Sequence, residues 1–90
     1  MIKKRETEVS EHVAARVKEL RKAQVPRWSM ADLSQELHDL GFEMSPAVIN
    51  VLENGVPAQH GYPPRKRSVS VDELVALAEV FGVRVTGLLP

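Results

Sequence analysis

The chain has 90 residues, twelve basic and twelve acidic side chains, no net charge and no cysteine. A chain of this size buries only ~60–65% of its unfolded surface, so there is room for one domain with one modest core. The missing cysteines exclude a disulfide framework and thiolate metal sites, and fit a reducing compartment. No apolar run approaches the ~18–20 residues of a membrane span, and Met1 to Arg5 lack the apolar segment of a signal peptide, so the expected location is the cytoplasm.

The neutral total hides an asymmetry. Residues 1–27 carry eight Lys/Arg against four Glu, a net of +4. Residues 28–62 carry five acids (Asp32, Glu36, Asp39, Glu43, Glu53) and no Lys or Arg, a net of −5, and residues 63–90 return to +1. A nucleic-acid surface needs clustered bases. Here it has to be assembled from the two flanks, around an acidic middle.

Residues 1–9 are polar and unpatterned and read as a flexible basic arm. Such an arm solubilises a domain, or reaches phosphates and a minor groove through Lys3, Lys4 and Arg5. Residues 10–90 form the domain. Its first helix is expected over 10–24, with Val13, Val17 and Leu20 at i, i+4, i+7 forming one buried stripe and Arg16, Lys18, Glu19 and Lys22 facing away. Pro26 ends it, because the residue before a proline is pushed out of the α region. Arg21 and Lys22 complement the dipole of the last turn. Arg27 stands beside the start of the next helix, a natural place for a phosphate.

Two start signals of one design follow. Ser29 caps a second helix running to about residue 40, Asp32 sits at N3 as a shortened capping box, and Trp28 can staple onto Leu33. Met30, Leu33, Leu37 and Leu40 share a face, and Gly41 suits the position past the end. Ser45 caps a third helix over 46–53 with Pro46 at N1, where its missing N–H costs nothing, and Met44 can staple onto Ile49. At 100° per residue, Val48, Ile49 and Leu52 fall on one side of this helix. Ala47, Asn50 and Asn54 fall on the other, flanked by Pro46 and Val51. That outer face is small and nearly uncharged, so it can lie close against another surface. Asn54-Gly55 closes the helix with a residue tolerant of positive φ.

Residues 55–69 (GVPAQHGYPPRKRSV) are too rich in Gly and Pro to be a regular element and end in Arg65-Lys66-Arg67, a candidate phosphate clamp. A third start signal, the capping box of Ser70 with Glu73, opens a fourth helix whose stripe is Leu74, Leu77, Ala78 and Phe81, closed by Gly82. Thr86 can cap a final turn bearing Leu88 and Leu89, which serve either as a lid on the core or as a small patch for a partner.

Catalytic constellations are missing from this pattern. His12, His38 and His60 have no second ligand at metal-binding spacing. There is no Gly-rich phosphate loop, nucleophile elbow or pocketed carboxylate pair. The expectation is a protein that is not an enzyme and needs no cofactor or metal.

The helical pattern resembles the lambda-repressor-like helix-turn-helix family, also called the xenobiotic-response-element type. The residues that carry the resemblance are Val13-x3-Val17-x2-Leu20-Arg21, Trp28-Ser29 with Leu33 and Leu37, and above all Ser45-x3-Ile49-x2-Leu52-Glu53-Asn54-Gly55. Val71-Asp72-Glu73-Leu74-x2-Leu77-Ala78-x2-Phe81-Gly82-Val83 is similar to the family's fourth helix. The L-x-x-L-G turn and the terminal Leu-Leu-Pro look like an actinobacterial branch. The resemblance implies an all-α, compact bundle of four to five short helices around a central helix-turn-helix, with the third helix in the major groove of double-stranded DNA. It further implies Pro46, Ala47, Asn50 and Val51 as the base-facing set, with Ser29, Asn54 and Arg65 to Arg67 on phosphates. Two departures stand out. Met30 replaces a common glutamine that donates to phosphate, and Asn50 is the one polar residue among the base-facing four. Asparagine pairs bidentately with adenine, and Ala47 and Val51 suit thymine methyls, so the helix is expected to favour A·T-containing sites.

The function this implies is a bacterial or bacteriophage transcriptional regulator, a repressor acting by occupying a promoter. It would be a nucleoid-associated homodimer on a partly palindromic site, with Leu88, Leu89 and Val80 as candidate dimer residues. The rival is a protein-interaction module on the same scaffold, such as an antitoxin or an adaptor with a protein partner. The acidic middle favours that rival, and the basic triplet beside the motif disfavours it.

Overall fold

The computed structural model describes residues 2–59, 61–63 and 67–90, the side chains of residues 2–7 excepted. Those residues form four α-helices, α1 (Ile2–Lys22), α2 (Met30–Asp39), α3 (Pro46–Asn54) and α4 (Val71–Phe81), followed by a short 3-10 turn at Val85–Gly87. Among the described residues there is no strand beyond one isolated bridge, in which Gln59 and Tyr62 exchange backbone hydrogen bonds of 3.2 and 2.7 Å. No described helix is long and apolar enough to cross a membrane.

α1 begins at Ile2, eight residues before the start expected at Ser10. Residues 2–9 contain no Gly or Pro, and their Lys, Arg and Glu are strong helix formers, so the helix can propagate outward from the buried Val13–Val17 stripe. It also ends two residues short of the expected position. There the Gln24 side chain donates to the Leu20 carbonyl (3.1 Å) and satisfies one of the groups the last turn leaves open.

The three expected caps all form. Ser29 Oγ accepts from the Asp32 N–H (3.0 Å) while Asp32 Oδ2 accepts from the Ser29 N–H (2.8 Å). Ser70 and Glu73 repeat that reciprocal pair at α4, and Ser45 Oγ accepts from the Val48 N–H behind Pro46. Each such cap contributes about 1 kcal/mol. Two helix ends close by the same device. The Phe42 N–H reaches back to the Leu37 carbonyl (2.9 Å) across Gly41 at φ 85°, and the Val83 N–H reaches the Ala78 carbonyl (2.9 Å) across Gly82 at φ 67°. Both are six-to-one bonds that require a left-handed residue.

The core is one cluster: Val13 and Val17 of α1, Leu33 and Leu37 of α2, Met44, Ile49 and Leu52 around α3, Leu77 of α4 and Leu88. Trp28 and Phe81 stack at its edge, ring centroids 5.9 Å apart. Leu88 has no exposed surface, which makes it a lid on the core and removes it from the candidate dimer residues; Leu89 and Val80 are half-buried. Leu40, expected on the buried face of α2, is exposed because α2 stops at Asp39 and Leu40 is its C-cap. Met44 supplies the buried side chain at that end instead.

Candidate nucleic-acid interface

α2 and α3 pack against each other across the turn 40–45, and α3 also packs on α1. Two polar contacts fix the pose of this pair. Ser34 Oγ, inside α2, donates to the Met44 carbonyl (2.7 Å) and ties the helix to the residue that precedes the cap of α3. At the far end of α3, Glu53 turns inward. Its Oε2 accepts from Arg21 Nε (2.8 Å), its Oε1 accepts from Arg21 Nη2 (3.0 Å), and Arg21 Nη1 donates to the Trp28 carbonyl (2.9 Å). The Glu53 side chain is 0% exposed and that of Arg21 9%. The hydrogen bond it donates to Glu53, against the opposing effect of burial, holds the Arg21 guanidinium above its ordinary pKa. One α1 side chain thereby positions both ends of the motif: the C-terminus of α3 and the loop that enters α2.

With Ile49, Leu52 and Glu53 pointing inward, the outward face of α3 is Pro46, Ala47, Asn50 and Asn54, all exposed, with Val51 half-exposed beside them. This is the face expected from the 100° spacing. It carries no charge. Asn50 and Asn54 are joined, Asn54 Nδ2 donating to Asn50 Oδ1 (2.8 Å), and Lys18 Nζ of α1 donates to Asn54 Oδ1 (3.3 Å).

The structure distributes the expected phosphate-binding residues unevenly. Arg27 and Ser29 sit together, exposed, at the N-terminus of α2, and Arg27 has no hydrogen bond among the described residues. That helix end already holds an anion of its own. The backbone N–H and hydroxyl of Ser29 keep the Asp32 carboxyl below its usual pKa, so it is charged at neutral pH. Arg67 is engaged: Nη1 and Nη2 donate to Glu73 Oε1 and Oε2 at 2.9 and 2.6 Å, on the carboxylate that also caps α4. Burial would push the Glu73 carboxyl up. The hydrogen bond from Arg67 and the Ser70 N–H outweigh it, and the net pKa is lowered. Arg65 and Lys66 lie outside the described residues, as do the side chains of Lys3, Lys4 and Arg5.

Several roles escaped the sequence reading. Arg21, taken as a dipole partner, and Glu53, counted among the five acids of the middle stretch, form an internal pair. Arg16 of the basic outer face donates through Nε to the Gly87 carbonyl (3.1 Å) and pairs with Glu19. A signal for the first existed: Glu53 lies next to Leu52 on the inward side of α3, where a carboxylate requires a cation.

No known protein family and no curated protein matches the chain. Among solved structures the chain is similar to the S. venezulae BldD DNA-binding domain. The two share 24% sequence identity, the match covers 92% of this chain and 99% of that one, and the TM-score is 0.64. The two chains share a fold, a small bundle of helices.

Proposed function

We propose that this chain is a sequence-specific double-stranded DNA-binding transcriptional regulator that inserts α3 into the major groove and represses by occupying a promoter. The observation that carries this is the outward face of α3. Pro46, Ala47, Asn50 and Val51 make a flat, uncharged strip on a helix whose pose is held by the buried Arg21–Glu53 pair and the Ser34–Met44 bond. A helix with small side chains on its outer face can approach base edges closely. Ala47 and Val51 suit thymine methyls, and Asn50 supplies the polar contact. The likeness to a domain described as DNA-binding supports the same reading.

Arg27, Ser29 and Asn54 then face the backbone on either side of α3, joined by Arg65, Lys66 and Arg67 and by Lys3, Lys4 and Arg5 of the first residues. Binding as a homodimer to two half-sites about one helical turn apart completes the proposal, in a nucleoid-associated, cytoplasmic protein. A protein-interaction module is the second reading, favoured by the commitment of Arg16, Arg21 and Arg67 to internal partners, which leaves fewer bases for phosphates.

Selection from random duplex DNA, followed by a salt titration of the enriched site, separates the two. The expected result is an enriched motif whose affinity falls steeply with salt, the slope counting neutralised phosphates. No enrichment, with binding lost near physiological salt, overturns the DNA reading and favours the interaction module.

A further inference from the structure

Lys18, Asn54 and Asn50 form a chain of hydrogen bonds with one direction. An ammonium has three donors and no acceptor, so the Asn54 atom that faces Lys18 Nζ at 3.3 Å is its carbonyl oxygen. Asn54 must then turn its Nδ2 toward Asn50 and donate to Oδ1 at 2.8 Å. Asn50 is thereby fixed in turn. One of the two lone pairs of its oxygen is taken by Asn54, which turns that oxygen along the helix, and both free hydrogens sit on Nδ2, on the exposed face of α3 beside Ala47 and Val51. Flipping either amide would set two donors, or two acceptors, against each other.

We propose that Lys18 acts through this chain as a specificity-determining positioning residue, orienting Asn50 so that its donor side faces the DNA and reads guanine in preference to adenine. The inference rests on the DNA-binding reading above and departs from the adenine pairing expected for a free asparagine. Adenine offers one acceptor, N7, beside the N6 donor, and an asparagine that pairs with it must use its oxygen as well as its nitrogen. Guanine offers two adjacent acceptors, N7 and O6, which suit a side chain whose free hydrogens are both on one nitrogen. The positive charge of Lys18 polarises the chain in the same sense, strengthening the outward donor.

The test compares the selected DNA motifs of the native chain and of Asn50→Ala, Lys18→Met and Lys18→Arg variants, with melting temperatures as a check on folding. The position read by Asn50 is the one whose preference Asn50→Ala erases. The native chain is expected to prefer guanine there. Lys18→Met frees the Asn54 amide, and through it the Asn50 amide, to take either orientation and is expected to reduce the guanine-over-adenine preference at that one position by on the order of tenfold. Lys18→Arg, which keeps a donor, is expected to retain it. Adenine at that position in the native motif, an unchanged preference in Lys18→Met, or a motif that Asn50→Ala leaves intact each overturns the proposal while leaving DNA binding standing. Absence of any motif overturns the DNA reading and this proposal with it. The chain itself is read without DNA by the side-chain ¹H–¹⁵N resonances of Asn50 and Asn54. Both should move in Lys18→Met and stay near their native positions in Lys18→Arg, and resonances that ignore Lys18→Met show that the chain does not form.

Discussion

The Glu53 carboxylate, fully enclosed at the end of α3, is held by two parallel hydrogen bonds from the Arg21 guanidinium of α1, whose third nitrogen grips the Trp28 carbonyl. Removing one partner leaves an uncompensated charge in the core. Glu53→Ala is therefore expected to lose about 3–5 kcal/mol in urea denaturation. A joint replacement, Arg21→Met with Glu53→Leu, is expected to recover most of that loss, because a buried ion pair stabilises little over apolar residues of similar volume. A double variant as unstable as Glu53→Ala would show that the Trp28 contact, and not the pair, holds the motif.

Arg27 and Arg67 look equivalent in the sequence but differ in what they touch. Arg67 is held bidentately by the carboxylate that caps α4, whereas Arg27 has no hydrogen bond among the described residues. Arg27→Ala is expected to reduce the salt dependence of DNA binding by about one phosphate and leave folding unchanged. Arg67→Ala is expected to do the reverse, costing about 1 kcal/mol of stability with a smaller change in salt slope. Titrations of the two variants against one duplex decide this, and equal slope changes would place Arg67 on a phosphate.

The contrast shows where the sequence is legible. Helix starts are local: Ser29 with Asp32, Ser45 with Pro46 and Ser70 with Glu73 each announce a cap within four residues, and all three form. The outward strip of α3 follows from a fixed rotation per residue, and the inward Val13, Leu33, Leu37, Ile49 and Leu77 follow from the same geometry. Partners distant in sequence leave no comparable trace. Arg21 and Glu53 are 32 residues apart, Lys18 and Asn54 are 36 apart, and Arg16 reaches Gly87 across 71. Charge counting therefore missed that the fold gives these ions distant partners and buries two of them, Arg21 and Glu53. Leu88 is a similar case, since only packing decides whether a leucine near a chain end meets its own core or a neighbour.

Acid sensitivity is expected from the two capping carboxylates. Both Asp32 and Glu73 have folded pKa values below their ordinary ones, so the folded state binds fewer protons than the unfolded state as pH falls. Their contribution is complete above the unfolded values of about 4. It is lost as pH drops through the lower folded values. Urea midpoints measured from pH 6 downward should thus fall below about pH 4. Glu73→Gln should flatten that fall more than Asp32→Asn, because the Glu73 carboxylate is enclosed and also loses Arg67 when protonated. A midpoint independent of pH in this window would mean that neither cap depends on its charge.

Leu88 offers the sharpest separation of fold from assembly. With no exposed surface, it contacts the same cluster as Leu77 and Val17, and truncation leaves a cavity. Leu88→Ala is expected to cost about 2–5 kcal/mol of stability. If Leu88 instead served a dimer, the same change would leave monomer stability near native and shift only the sedimentation profile. Leu89 and Val80, both half-buried, give the complementary test. Replacing either with a charged residue should disturb self-association, where it occurs, more than the melting temperature. Denaturation and sedimentation velocity on Leu88→Ala and Val80→Glu, at matched concentration, assign each residue to the core or to the interface.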